Sequence, residues 1–363
     1  MPQTVLVTGG AGFIGSHTCV ELLRSGHEVV VLDDHSNSAH EALERVAKIA
    51  GRPLAAAHVA DVRDRRALDA VFGRHPIDAV VHFAAKKAVG ESVRIPLAYY
   101  DTNVGGTTAL VAAMHDHGVR RLVFSSSCSV YGDATTGPLT EESPAAPTNP
   151  YAVSKWLCEQ ILADLCRYVP GLRVLALRYF NPAGAHPSGL LGEDPYGVPG
   201  NIMPFLTQVA VGRRDELSVF GDDYPTPDGT GVRDYLHVVD VAEGHRAALD
   251  HIDDEPGMRV FNLGTGRGAS VLELVRTFED VSGRPIPYHV TARRPGDVAE
   301  LVADPAKAAA AWGWSARRDL AAMCRDAWNF QQRNPSGYAP GTSCTRPSAV
   351  PHHRTRQENS ACG

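Results

Sequence analysis

Cysteine is sparse and unpatterned in this chain. Cys19, Cys128, Cys158, Cys166, Cys324, Cys344 and Cys362 are odd in number, scattered, and never spaced as CxxC. That argues against a disulfide framework or a zinc cage, and predicts reduced thiols and no metal site. Also missing is any run of 18 apolar residues, and the opening "MPQTVLVTGG" has neither a basic n-region nor an apolar h-region. Neither membrane spanning nor secretion is expected, so the chain reads as cytoplasmic. With no long basic run and a formal net charge of -6, there is no electrostatic reason to expect nucleic acid or an anionic membrane as partner. What is present is an ordinary globular composition. The 363 residues are 44% hydrophobic and 21% charged, enough for about two domains around a substantial core.

The apolar, β-branched run "TVLVT" at 4–8 is followed by "GGAGFIGSHTCVELLRSGH", whose apolar residues shift to helical spacing. This predicts strand, glycine turn and helix. Gly9, Gly12 and Gly15 lie three apart, a variant of the dinucleotide fingerprint in which missing Cβ atoms let the backbone approach a pyrophosphate at a helix N-terminus. Plain turns also use glycine. The context decides: a second strand, "HEVVVLDD", ends in Asp33 and Asp34, about 20 residues beyond the glycines, where an acid can accept from ribose hydroxyls. Asp33 would repel a 2′-phosphate, which points to NAD rather than NADP. The plainer readings are a strand-end turn former for Asp33 and a helix cap for Asp34.

Further short strands, "LAAAHVADV" (54–62), "DAVVHFAA" (78–85), "RRLVFSSS" (120–127) and "LRVLALRYFN" (172–181), alternate with helical segments. The fold class is therefore α/β, a doubly wound parallel sheet of the Rossmann type with a second, smaller mixed α/β domain. Ligands bind at the carboxyl ends of such strands, which puts Asp61, Ala84, Ala85, Ser127 and Asn181 along one edge.

In "NPYAVSKWLCEQIL" (149–162), helical spacing sets Lys155 one turn below Tyr151. On its own the pair reads as a half-buried rim of an amphipathic helix. Beside a nicotinamide it acquires a purpose. A base that removes a hydroxyl proton needs a pKa near the working pH, and free tyrosine titrates near 10, about three units and roughly 4 kcal/mol too high. A lysine ammonium about 4 Å away, at an effective dielectric near 20, supplies roughly that much. Ser127, ending a strand, can donate to the oxygen of a reacting hydroxyl as its charge changes.

These motifs, with "VTGGAGFIGSHT", "HFAAKKAVGES", "SSSCSVYGD", "LRYFNPAGAHPSG", "GEDP", "MPFLTQVAVGRRDELSVFGDDYPTPDGTGVRDYLHVVDVAEGH" and "NLGTG", resemble the extended short-chain dehydrogenase/reductases over about residues 3–338. Among these, the sequence is most similar to the enzymes that epimerise UDP-hexoses. The resemblance implies that Ser127, Tyr151 and Lys155 form the catalytic group. It implies a tightly held NAD contacted by Gly9, Gly12, Phe13, Ile14 and Gly15. Further cofactor contacts implied are Asp33, Asp34, Ser36, Asn37 and Ser38, then Asp61, Val62, Phe83, Ala84, Ala85, Lys87 and Phe180, with Tyr151 and Lys155. Thr102, where relatives often carry Asn, is a further position of this kind. For the UDP-sugar, the resemblance implies Ser127, Tyr151, Asn181, Asn201, Ser218, Val219, Phe220, Arg233, Tyr235, Arg294 and Asp297. Leu301 joins them at a position that is Tyr in some relatives and small in others that accept N-acetylated sugars. Relatives are commonly homodimers, which implies a homodimer here.

The expected activity is interconversion of UDP-glucose and UDP-galactose by transient oxidation at C4. The alternatives are 4-epimerisation of a UDP-N-acetylhexosamine, uronate or pentose, and a nucleotide-sugar 4,6-dehydratase. The dehydratase reading suffers because Cys128-Ser129 follows Ser127 with no carboxylate there. A silent NAD-sensing protein would tolerate loss of the base, which is intact. The expected division is a NAD-binding domain of 1–181 and 235–264, a substrate domain of 182–234 and 265–338, and a disordered extension of 339–363, whose His352-His353 pair reads as tail composition. The indoles of "AAWGWSARRDL" read as core packing.

Overall fold

The computed structural model describes residues 2–132, 137–294 and 297–338. The expected extension at 339–363, with Cys344, Cys362, His352 and His353, lies outside the described residues.

Seven parallel strands form the central sheet, in spatial order Gly257–Leu263, Arg173–Tyr179, Arg121–Ser125, Ala79–His82, Thr4–Thr8, Glu28–Asp33 and Ala56–Val59. Period-two alternation sorts their side chains into two cores. Val5, Val7, Val29, Val31, Val81, Val123 and Leu175 face one layer of helices, which includes Phe13–Arg24 and Val238–Asp250. Leu6, Val30, Leu32, Val80, Leu122, Phe124 and Val174 face the other, which includes Arg65–Arg74, Gly106–Asp116 and Pro150–Tyr168. Both faces are covered, so the inner strands are largely apolar. Thr4–Thr8 pairs with Glu28–Asp33 on one side and Ala79–His82 on the other. The strand order reverses there, and the crevice opens at the ends of these strands.

The expected strand 172–181 is in fact two. Arg173–Tyr179 stays in the large sheet, Phe180 donates its N–H to Leu263, and Asn181 donates to Asp234. The chain then enters a second sheet in which Asn181–Ala183 pairs with Tyr235–His237. This handover aims Asn181 and Tyr235 at one place. A third apolar core, built from Met203, Leu206, Val219, Leu274, Phe278, Met323 and Trp328, supports the segments beyond it. The helix Val238–Asp250 and the strand Gly257–Leu263 return to the large sheet, as expected. Trp314 is buried in the core and Trp312 packs on Phe261, so the indoles serve packing.

Several histidines are buried among apolar side chains and held neutral. Thr107 Oγ donates to the Asn103 carbonyl, which leaves it to accept from His82 Nε2, while Thr8 Oγ donates to His82 Nδ1 at 2.6 Å. Burial pushes His82 and His17 down to about 3, and His245 down to about 4. Unfolded histidine titrates near 6.5, so the stability these groups contribute is present above that pH and is lost as pH falls towards 3–4. At pH 5 each would cost about 2 kcal/mol. The thermal midpoint is expected to fall clearly between pH 7 and pH 5; an equal midpoint at the two values would contradict this.

Candidate active site

The glycine turn has the shape of a phosphate cradle. Gly9 has φ +71°, and a Cβ there would lie 2.7 Å from Ala84 N; one on Gly15 would lie 2.2 Å from the Gly9 carbonyl oxygen. Only hydrogen fits at either position. The helix Phe13–Arg24 starts at Gly12 with no side-chain cap and no acid in its first turn, so its first N–H groups and positive end face the crevice. Asp33 is buried, accepting from Ala11 N through Oδ2 and from His35 N and Ser38 Oγ through Oδ1. Besides its expected place at a ribose, it fastens the glycine turn to the loop after the second strand. His35 adopts φ +53° to make that turn. Asp34 accepts from Ser36 N and Oγ and caps no helix. The cradle, the uncapped helix and the strand-end acid suit a dinucleotide.

The helix Pro150–Tyr168 begins where Asn149 accepts from Ala152 N and Pro150 occupies the first turn. Tyr151 and Lys155 are consequently one turn apart and both buried. Asn103, in a π-helical stretch Tyr100–Gly105, donates to Ser154 Oγ and the Lys86 carbonyl, tying this helix to the loop after the fourth strand. Sequence reasoning saw neither the π turn nor this role.

Lys155, expected one turn below the phenol, is anchored there by its Nζ, which donates to the Ser125 carbonyl at 2.7 Å; a buried ammonium needs such acceptors. Ser127 Oγ accepts from Ser129 N, donates to Ser129 Oγ at 3.1 Å, and lines the same cavity as Tyr151. Burial pushes Tyr151 up to about 12, against the lowering effect of Ser127, and pushes Lys155 down to about 8. Left to the chain alone, Tyr151 is a phenol.

One cavity of about 790 Å³ joins these groups. It is lined by every expected residue except Leu301. Leu301 packs against a cluster that includes Cys128, Tyr131 and Phe180, of which Cys128 and Phe180 line the cavity, and its strand pairs with Val232–Arg233. At the far end of the cavity the Arg294 guanidinium lies 3.7 Å from the Phe220 ring centroid, and Arg233 donates to the carbonyls of Val232 and Val298. Between Arg233 and Tyr235, the buried Asp234 accepts from Thr265, Gly266 and Ala303, fixing the two residues beside it. Glu193, from the "GEDP" motif, was not assigned a role; its Oε1 accepts from Lys87 Nζ at 2.8 Å and Asn201 Nδ2 at 2.7 Å, bridging a cofactor-side residue and a substrate-side one. The motif itself was the available signal.

Such a sheet, glycine cradle and Ser-Tyr-Lys group define a dinucleotide-dependent enzyme acting on a hydroxyl. Residues 5–264 match the NAD dependent epimerase/dehydratase family, and the chain belongs to that family. Its relatives narrow the class further. It is 57% identical over 336 residues, 93% of this chain and 99% of the relative, to the UDP-glucose 4-epimerase of Bacillus subtilis (strain 168). The crystal structure of the UDP-glucose 4-epimerase from Bifidobacterium longum in complex with NAD+ and UDP is 51% identical, with a TM-score of 0.90, covering 92% of this chain and all of that one. A third, from Stenotrophomonas maltophila with bound NAD and formylated UDP-arabinopyranose, is 50% identical with a TM-score of 0.89, covering 92% and 99% of the two chains.

Proposed function

We propose that this chain is an NAD-dependent UDP-hexose 4-epimerase that interconverts UDP-glucose and UDP-galactose. The observation that carries the reading is the single cavity, in which the glycine cradle, Ser127, Tyr151 and Lys155 run on without a break to Arg233 and Arg294. Bound NAD supplies acceptance and return of the C4 hydride, with a positive charge in its oxidised form. Gly9 to Gly15, Asp33 and Lys87 hold it. Tyr151 removes the proton of the sugar 4-hydroxyl and later gives it back, and Ser127 donates to the same oxygen. Lys155, anchored on the Ser125 carbonyl, keeps a positive charge on the buried helix face that carries Tyr151. The guanidinium forks of Arg233 and Arg294 grip the diphosphate. The 4-keto ring is held less firmly and turns to present its opposite face. The proposed division of labour gives 1–181 with 235–264 to the cofactor, and 182–234 with 265–338 to the nucleotide sugar.

The test is direct: purified protein, with no NAD added, is mixed with UDP-galactose, UDP-glucose and their N-acetylated counterparts, and the products are identified. Equilibration of the two hexoses supports the reading. No epimerised product from either refutes it. Because Leu301 packs against the cavity-lining Phe180, the N-acetylated pair serves as the arm that reads sugar size. Arg233→Met is expected to raise KM for UDP-galactose by roughly 10- to 100-fold, the worth of a charge-assisted hydrogen bond, with kcat little changed. Steady-state kinetics checks it.

We further propose a cytoplasmic homodimer. The five described cysteines are free thiols, as suits a reducing compartment. Among the described residues no helix is long and apolar enough to cross a membrane. Val93, Ile95 and Leu97 are exposed on or between short helices that pack against Pro150–Tyr168, whose own Leu157 is also exposed. That apolar surface suits a second copy. Light scattering is expected to give twice the chain mass of 38.9 kDa, and a monomeric mass would refute it.

A further inference from the structure

The catalytic helix carries a third residue on the stripe of Tyr151 and Lys155. Glu159 lies one turn below Lys155, and opposite this stripe runs the strand end Ser125-Ser126-Ser127. Each serine meets one member of the stripe. Ser125 offers its carbonyl to Lys155 Nζ at 2.7 Å. Ser126 Oγ donates to Glu159 Oε1 at 2.5 Å. Ser127 lines the reaction cavity with Tyr151 and opposes the effect of burial on its phenol. The middle serine is thus gripped between the two that face the reaction.

The grip is braced from behind. Arg178 donates to both Glu159 oxygens, at 3.0 Å from Nε and 2.6 Å from Nη2. Exposure is 0% for Ser126, 1% for Glu159 and 4% for Arg178. Arg178 also donates to Tyr131 Oη at 3.0 Å, and that hydroxyl donates to Asn262 Oδ1 at 2.7 Å. Tyr131 closes the 3-10 turn Cys128–Tyr131 that begins immediately after Ser127. The same guanidinium therefore holds the helix side and the loop side of the catalytic serine. An apolar pair of similar volume would stabilise a fold at least as well as this buried ion pair, so stability alone does not account for it. Directional hydrogen bonds hold a backbone to tenths of an ångström, and misplacing a catalytic group by 1 Å can cost about a hundredfold.

We propose that Glu159, braced by Arg178, is a positioning residue: by holding Ser126 it sets the Ser125 carbonyl and the Ser127 hydroxyl at the spacing that Lys155 and Tyr151 require. The proposal rests on the epimerase reading for its kinetic arm and on geometry alone for its structural arm.

Ser126→Ala removes the middle contact and leaves the ion pair in place. It is expected to lower kcat for UDP-galactose at least tenfold with KM within twofold. In a Tyr151→Phe background the same change is expected to lower the residual turnover by less than twofold, because the spacing it spoils no longer serves a base. Crystals of Ser126→Ala are expected to show the Lys155–Ser125 or Tyr151–Ser127 contact lengthened. Glu159→Gln is expected to behave in the same way where it folds; where it does not, Ser126→Ala decides. Wild-type kcat in Ser126→Ala, equal losses in both backgrounds, a change confined to KM, or both contacts unmoved in the crystal would overturn the proposal. Absence of turnover in the unmodified enzyme would instead count against the epimerase reading, and the crystallographic arm would still decide this one.

Discussion

Tyr151→Phe is expected to fold, to retain bound NAD and to lose roughly a thousandfold or more in kcat. The ring is buried and the substitution removes one oxygen without changing its shape, so packing is preserved. What is lost is the atom that carries the proton, together with the influence of Ser127 on it. General acid-base catalysis by one group contributes about 10² to 10⁴, and here one hydroxyl serves both half-reactions. Burial, against the lowering effect of Ser127, raises Tyr151 to about 12, so positive charge joining it in the cavity favours release of the proton. Circular dichroism, cofactor content and turnover of UDP-galactose check the three parts separately. Turnover within tenfold of the unmodified protein would remove Tyr151 from its assigned role.

Gly15→Ala is expected to weaken NAD binding by about a hundredfold or more and to lower the thermal midpoint. Its Cβ would lie 2.2 Å from the Gly9 carbonyl oxygen and 2.9 Å from Gly10 Cα. These are backbone atoms, so the turn itself would have to open. Gly12→Ala makes the contrast: there the nearest atom is the Gly9 oxygen at 3.3 Å, a contact relieved by a few tenths of an ångström. Its effect on NAD affinity is expected to stay within tenfold. Titration of cofactor-stripped protein with NAD measures both. Equal effects at the two positions would show that spacing in sequence, rather than the depth of each glycine in the turn, governs the cradle.

The glycine turn and the strand-helix alternation were legible because both are local. A turn that tolerates no Cβ and a strand buried on both faces leave their mark on consecutive residues. Tyr151 and Lys155 were legible for the same reason, being i and i+4 on one helix. Where side chains point was not legible. The anchoring of Lys155 on the Ser125 carbonyl depends on an acceptor 30 residues away. The packing of Leu301 on Phe180 and its neighbours depends on the pairing of its strand with Val232–Arg233, far away in the chain. The roles of Asn103, Glu193 and Asp234 were equally hidden, since each acts through partners distant in the chain.

By itself, then, the order of residues determined the kind of sheet, the dinucleotide turn, the acid after the second strand and the helix that carries the base. Those follow from φ/ψ limits, hydrophobic periodicity and charge, all of which act over a few neighbouring positions. Only the tertiary structure decided which hydroxyl faces Tyr151, what holds Lys155, and how Arg233 and Arg294 come to share a cavity with the glycine turn. A buried polar group must find a partner, and the partner available depends on which distant segments the core has brought within about 3 Å.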